Sequence, residues 1–264
     1  MGERLAGKVA LVFGAGSSGA AMSNGRATAL TFAREGARVA AIDIDRDEAA
    51  LTVARIEAEG GTGIAVRADV TVEEQVRSAV ATVARKLGTP SVLHNNVGVA
   101  RVGDVVDLDL ADWRDSLSVN VTGMFLTCKH VLPHMIAAGA GAIVNVSSIA
   151  AIRDTGYGYP GYSAAKAAVN QFTVAVALRH AADGVRANVV APGLIDTPLV
   201  TGQVVAGASD RPSALAARDA SSPTGKVGTP WDVASAALFL ASDESAYING
   251  VCLPVDGGLS MRCG

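Results

Sequence analysis

Short apolar runs that stop at glycines or polar residues alternate along the chain with longer stretches of helical spacing. Residues 8–13, 38–42, 63–67, 91–94, 142–146, 186–190 and 251–253 read as strands. Between them, 25–35, 45–59, 72–87, 110–138, 161–182 and 232–241 carry apolar residues at helical intervals. Gly36, Gly60-Gly61 and Gly88 supply stops for the first three helices, and Pro133 predicts a kink or break in the long one.

Strands that alternate with helices of this length imply right-handed crossovers and a parallel sheet covered on both faces. The strands are apolar throughout rather than alternating, as burial on both faces requires. The expected fold class is α/β: a single doubly wound Rossmann-type domain over 1–264, with a parallel sheet of about seven strands. The stretch 192–226 is rich in Gly, Ala, Ser and Pro and reads as irregular. Following a strand, it suits an active-site lid, with 194–226 bordering the substrate.

Composition narrows the partners. Half the residues are hydrophobic, enough for a sizeable core, and the net charge of −3 with no basic run argues against nucleic acid. Three scattered cysteines, Cys128, Cys252 and Cys263, give no disulfide framework and suit a reducing compartment. No apolar stretch is long enough to span a membrane and no signal peptide is read, so the expected location is cytoplasmic.

The first strand runs into Gly14-Ala15-Gly16-Ser17-Ser18-Gly19, followed by Asn24-Gly25-Arg26 at a helix start. Glycines between a strand and a helix let the backbone approach a pyrophosphate at the positive helix end. Asp43 ends the second strand, where a carboxylate can accept from both ribose hydroxyls of an adenosine and would repel a 2′-phosphate. Ile44 follows it and the turn before Gly25 has no Arg or Lys, which favours NAD over NADP.

Tyr162 and Lys166 stand four residues apart in a helical stretch, hence on one face. A phenol has a free pKa of about 10. A cation nearby favours the phenolate, so the spacing can make Tyr162 a general acid/base.

In this order and at these intervals, the glycine turn, Asp43, Asp69-Val70, Asn95-Asn96-Val97-Gly98, Asn120, Ser148, Tyr162-x-x-x-Lys166, Pro192-Gly193 with Thr197-Pro198, and Val255-Asp256-Gly257-Gly258 resemble the short-chain dehydrogenase/reductases over essentially the whole chain. The resemblance implies catalytic roles for Asn120, Ser148, Tyr162 and Lys166. Tyr162 would exchange the proton, and Lys166 would lower its pKa and hold the nicotinamide ribose. Ser148 would polarise the reacting oxygen, and Asn120 would hold a water in a proton path. It also implies adenine contacts from Asp69 and Val70, and adenosine-ribose contacts from Asn96 and Gly98. Pro192, Gly193, Ile195 and Thr197 would form a loop at the nicotinamide. Gly14, Ser17, Ser18, Gly19, Asn24 and Gly25 would serve the pyrophosphate turn, Gly25 by close packing.

The implied activity is interconversion of a secondary alcohol and a ketone by hydride transfer with NAD(H). The alternatives are an NADPH-dependent 3-oxoacyl-thioester reductase and a non-catalytic dinucleotide-binding regulator. A homotetramer or dimer is implied, built on the 110–138 and 161–182 helices and the C-terminal segment. The chain departs from the family pattern at Phe13 and in 18–24, which is about five residues longer than the common turn. The insertion is expected to lie over the cofactor or the pocket mouth.

Other residues carry less. Tyr157 and Tyr159 have no Lys four residues on and read as pocket wall or surface. His130 and His134 share a helix face but lack a third metal ligand. His94, inside a strand, reads as a hydrogen-bonded core histidine. Arg153 and Asp154 fall in a loop that could border the substrate.

Overall fold

The computed structural model describes residues 2–18, 21–200 and 210–262. Seven strands form one parallel sheet in the order β3-β2-β1-β4-β5-β6-β7. They are β1 (Val9–Phe13), β2 (Arg38–Asp43), β3 (Thr62–Arg67), β4 (Val92–Asn95), β5 (Gly141–Val146), β6 (Val185–Pro192) and β7 (Cys252–Val255). The order reverses between β1 and β4, and in a doubly wound sheet that crevice is where ligands bind.

Helices cover both faces. On one lie α1 (Asn24–Arg34), α2 (Arg46–Ala58) and α8 (Pro230–Ala241). On the other lie α3 (Glu73–Leu87), α5 (Gly123–Ala138) and α6 (Pro160–His180), with α4 (Leu110–Leu117) packed on α6. Alternation along β1 divides the core. Ala10 and Val12 join Leu30, Phe32 and Val233 on the first face, while Val9, Leu11 and Phe13 join Val76, Val80 and Met135 on the second.

The sequence expectations differ from the structure at three places. The stretch 110–138 breaks not at Pro133 but at a π-helical turn, Ser118–Thr122. Pro133 sits inside α5 on its exposed side, where the carbonyl freed four residues earlier can turn to water. The stretch 192–226 is not wholly irregular, because Arg211–Ser221 forms α7, capped by Asp210, whose side chain accepts from the Ser213 amide. His94 is fully buried, yet neither ring nitrogen has a hydrogen-bond partner among the described residues, and its ring meets Phe32 edge-on at 5.9 Å.

Burial pushes His94 down to about 3. The unfolded chain therefore binds a proton that the folded chain refuses. The neutral ring costs nothing extra above about pH 6.5, and stability falls as pH drops from there toward 3. Replacing both unmet nitrogens with carbon, as in His94→Leu, should raise stability by about 1–3 kcal/mol. It should also flatten the acid limb of a melting-temperature profile between pH 6.5 and 4. An unchanged acid limb would mean that His94 is not its source.

Candidate active site

A cleft of about 710 Å³ runs across the C-terminal ends of the strands, from Asp43 at one end to Ser148 and Tyr162 at the other. Gly14 leaves β1 with φ of +79°, a conformation open to glycine, and its carbonyl accepts from Asn96 Nδ2 at 3.1 Å. Ser17, Ser18 and Asn24 line the cleft beside it. Gly25 is buried and does not line it; a Cβ there would lie 1.9 Å from the Gly14 carbonyl oxygen, so helix α1 and the turn meet backbone to backbone. Gly19 lies outside the described residues.

The long turn is tied down by a residue whose importance the sequence pattern did not show. Arg26 is fully buried, although long cationic side chains are rarely so. Its guanidinium donates to the Ser17 and Ala21 carbonyls, to Thr52 Oγ1 at 3.0 Å and to Glu48 Oε2 at 2.7 Å. Thr52 in turn donates to the Ala15 carbonyl, and Ser23 caps α1 while donating to the Gly16 carbonyl. Arg26→Met leaves Glu48 and two turn carbonyls without these donors. Breaking such a buried pair costs about 3–5 kcal/mol. A lowered melting temperature and weaker dinucleotide binding in calorimetry are expected.

At one end of the cleft, Asp43 Oδ2 accepts from the Gly16 amide at 2.8 Å, and Ile44 extends the wall. Asp69 and Val70 line the next section, with the Asp69 carboxylate held by the Thr71 amide and hydroxyl. Asn96 and Gly98 follow from the loop after β4. At the far end Pro192, Gly193, Ile195 and Thr197 form the opposite wall. Gly193 leaves no room for a side chain, since a Cβ would meet Asp256 at 2.6 Å.

The end that carries Ser148, Tyr162 and Lys166 is built from β5 and α6. Ser147 and Ser148 face apart, as adjacent extended residues do. Ser147 Oγ donates to the Lys166 carbonyl at 3.0 Å, while Ser148 lies against the Tyr162 phenol. Pro160 opens α6, which puts Tyr162 in the first turn and Lys166 one turn later. Lys166 Nζ stands 5.5 Å from the centre of the Tyr162 ring and donates to the Val146 carbonyl at 2.9 Å.

Burial, rather than the lysine, dominates the phenol. Tyr162 is pushed up to about 12, with the Ser148 hydrogen bond pulling the other way, and burial lowers Lys166 to about 8. The direction expected from the four-residue spacing is reversed, because that spacing sets the ammonium over the ring rather than at the hydroxyl.

Asn120 lies in the π-helical turn, a feature that often marks functional positions. Its Nδ2 donates to the Val99 and Ser116 carbonyls, leaving Oδ1 buried and without a partner among the described residues. A Cβ on Gly98 would lie 2.9 Å from that oxygen and 3.3 Å from Lys166 Nζ, so the two polar groups flank one glycine.

Several candidates fall away from the site. His130 meets Glu73 on the outer face of α5, and among the described residues no group of His, Cys, Asp and Glu could hold a metal. Arg153 donates to the Ser260 carbonyl and Asp154 accepts from the Gly156 amide, and neither lines the cleft. Tyr157 and Tyr159 do form pocket wall, in a small cavity behind Tyr162.

A dinucleotide fits these residues. The cleft has the size of a small-molecule site. Ser17 Oγ and Asn24 Oδ1 are buried beside it with no partner among the described residues, and Gly16 is so close to Asp43 that a side chain would meet the carboxylate at 2.8 Å.

Comparison with known proteins agrees. A family model described as enoyl-(acyl carrier protein) reductase matches residues 19–260. The chain is 42% identical over 261 residues to the cis-4-hydroxycyclohexanecarboxylate dehydrogenase of Sinomonas cyclohexanicum, covering 98% of each protein. A Burkholderia xenovorans protein described as a short-chain dehydrogenase/reductase superposes with a TM-score of 0.93 at 44% identity, over 99% of this chain and 100% of that one. A gluconate 5-dehydrogenase from Burkholderia cenocepacia, solved with NADP and tartrate, superposes at 0.89 and 31% identity over 98% of both chains. The chain belongs to the short-chain dehydrogenase/reductase family and is an oxidoreductase that interconverts secondary alcohols and ketones with a nicotinamide dinucleotide.

Proposed function

We propose that this enzyme uses NAD(H), with 1–264 acting as one dinucleotide-binding unit and Ser148, Tyr162, Lys166 and Asn120 as its catalytic residues. The observation that carries the reading is the convergence of Ser148 and the Tyr162 phenol at one end of a cleft whose other end is Asp43. The Gly14–Asn24 turn, Asp43 and the Gly193–Thr197 wall would hold the dinucleotide, whose nicotinamide would supply the hydride acceptor or donor.

The chain supplies position and protons. Ser148 donates a hydrogen bond to the substrate oxygen, where negative charge grows during reduction. Tyr162 gives that oxygen its proton in reduction and takes it away in oxidation. Lys166, held by the Val146 carbonyl, stands where it can bond a ribose hydroxyl and exchange protons with a water that Asn120 Oδ1 would hold beside Gly98. Asp43 and Ile44 favour NAD, because the Asp43 carboxylate would repel a 2′-phosphate and, among the described residues, the cationic side chains lining the cleft are Lys166 and Arg101.

The relative from Sinomonas is named for oxidising a hydroxyl on a cyclohexane ring. An alicyclic alcohol of that kind is a reasonable first substrate here. Phe125 and Leu178, exposed on α5 and α6, suit pairing between copies in a homotetramer or dimer. The buried free thiol of Cys128 and that of Cys252 suit the cytoplasm. Absorbance of reduced cofactor, followed with a panel of cyclic and acyclic secondary alcohols and with NAD against NADP, tests the proposal. Growth of signal with NAD supports it, and a signal confined to NADP contradicts the cofactor assignment.

A further inference from the structure

A cavity of about 70 Å³ opens behind the reacting groups. It shares Ser148, Tyr162, Gly193, Leu199 and Val200 with the main cleft, so the two are continuous at the reacting end. Ala100, Ile149 and Leu194 give it apolar walls, and Arg218 of α7 stands in its lining. That arginine is 7% exposed.

Among the described residues its charge has no close counter-charge. Nη1 donates to Tyr157 Oη at 3.0 Å, and the guanidinium lies 5.9 Å from the centre of the Tyr157 ring. Among the described residues no Asp or Glu forms an ion pair with it. Residues 201–209 contain no acidic residue at all. The adjacent Asp219 is turned to the Val227 amide.

The arginine that lines the main cleft differs in this respect. Arg101 is neutralised by Asp115 at 2.8 Å and Asp112 at 3.7 Å. A guanidinium has five N–H donors in a planar fork that matches a carboxylate, and burying it without a counter-charge is costly. A ring connects it to the reacting centre: Tyr157 stacks on Tyr159 at 5.7 Å, and Tyr159 meets Tyr162 edge-on at 5.3 Å.

We propose that Arg218 is the anchor for a carboxylate on the substrate, so that the enzyme acts on compact hydroxy acids or keto acids. The inference rests on the alcohol–ketone reading above. The carbinol carbon sits at Ser148 and Tyr162, a short apolar body occupies the slot, and the carboxylate pairs with the guanidinium fork. The cavity has room for only a few water-sized groups, which suits a carboxylate on a ring or short chain and not a bulky carrier thioester.

The test is calorimetric titration of the protein with saturating NAD, using cyclohexanecarboxylate and, separately, cyclohexanecarboxamide. The acid is expected to bind at least tenfold more tightly than the amide. Arg218→Met should abolish that preference and Arg218→Lys should keep part of it. Equal affinity for acid and amide, absence of acid binding, or a preference that survives in Arg218→Met would overturn the proposal. The wild-type acid-to-amide ratio decides the matter even if a variant folds poorly.

A kinetic arm separates this proposal from the reading beneath it. Arg218→Met should lower kcat/KM for 4-hydroxycyclohexanecarboxylate at least tenfold more than for 4-hydroxycyclohexanecarboxamide. Acid-selective binding without any cofactor reduction would leave Arg218 assigned and overturn the alcohol reading. Cofactor reduction by the amide and the acid with equal kcat/KM would do the reverse.

Discussion

Replacing Tyr162 by phenylalanine is expected to lower turnover by about 10²–10⁴-fold while leaving NAD affinity intact. The change removes one oxygen and keeps the ring, so the edge contact with Tyr159 and the packing over Lys166 survive. What is lost is the group proposed to exchange a proton with the substrate oxygen. Because burial pushes the phenol up to about 12, its basic form becomes more populated as pH rises. Alcohol oxidation by the wild type should therefore quicken through the alkaline range, and ketone reduction should not. Stopped-flow turnover and a fluorescence titration of NAD give the two readouts. Undiminished turnover in Tyr162→Phe would remove Tyr162 from the mechanism.

The second large effect is expected at Asp43. Its carboxylate is fixed by the Gly16 and Asp45 amides at the cleft wall, in position to accept from ribose hydroxyls. Hydrogen bonds to a charged group contribute about 1.5–3 kcal/mol, so Asp43→Ala should weaken NAD by roughly ten- to hundredfold in kcat/KM. Adding Ile44→Arg supplies a partner for a 2′-phosphate and should turn the preference toward NADP. Asp43→Asn is the control, since it keeps an acceptor for the Gly16 amide while removing the charge that repels phosphate. A wild type that already uses both cofactors equally would contradict the role given to Asp43.

Much of this architecture was legible in the residues themselves. The strands could be read because a sheet covered on both faces needs continuous apolar runs, and Leu11 and Val12 are both fully buried although they face opposite ways. The site could be read because its parts sit at strand ends: Asp43, Ser148 and Pro192 each close or follow a strand and each line the cleft. What escaped depended on contacts far apart in sequence. Arg26 reads as an ordinary helix-surface arginine until α2 brings Glu48 and Thr52 against it.

Arg218 escaped for a related reason. Its helix was hidden in a stretch whose Gly, Ala, Ser and Pro content resembles a loop, although Asp210 and Pro212 are the capping signals that could have found it. The π-helical turn at Asn120 has no sequence mark, since Ser118–Thr122 contains neither Gly nor Pro to punctuate the helical stretch. His94 was misread because strand position predicts burial but says nothing about whether a ring nitrogen will find a partner.

The central claim is direct hydride transfer between substrate carbon and cofactor beside Tyr162. It is tested most directly by oxidising a secondary alcohol deuterated at its carbinol carbon and analysing the reduced NAD by mass spectrometry. The account predicts that the deuterium appears in the cofactor and that turnover is slowed by the label when chemistry is isolated in a single-turnover experiment. Reduced cofactor free of deuterium, formed from fully labelled alcohol, would contradict it.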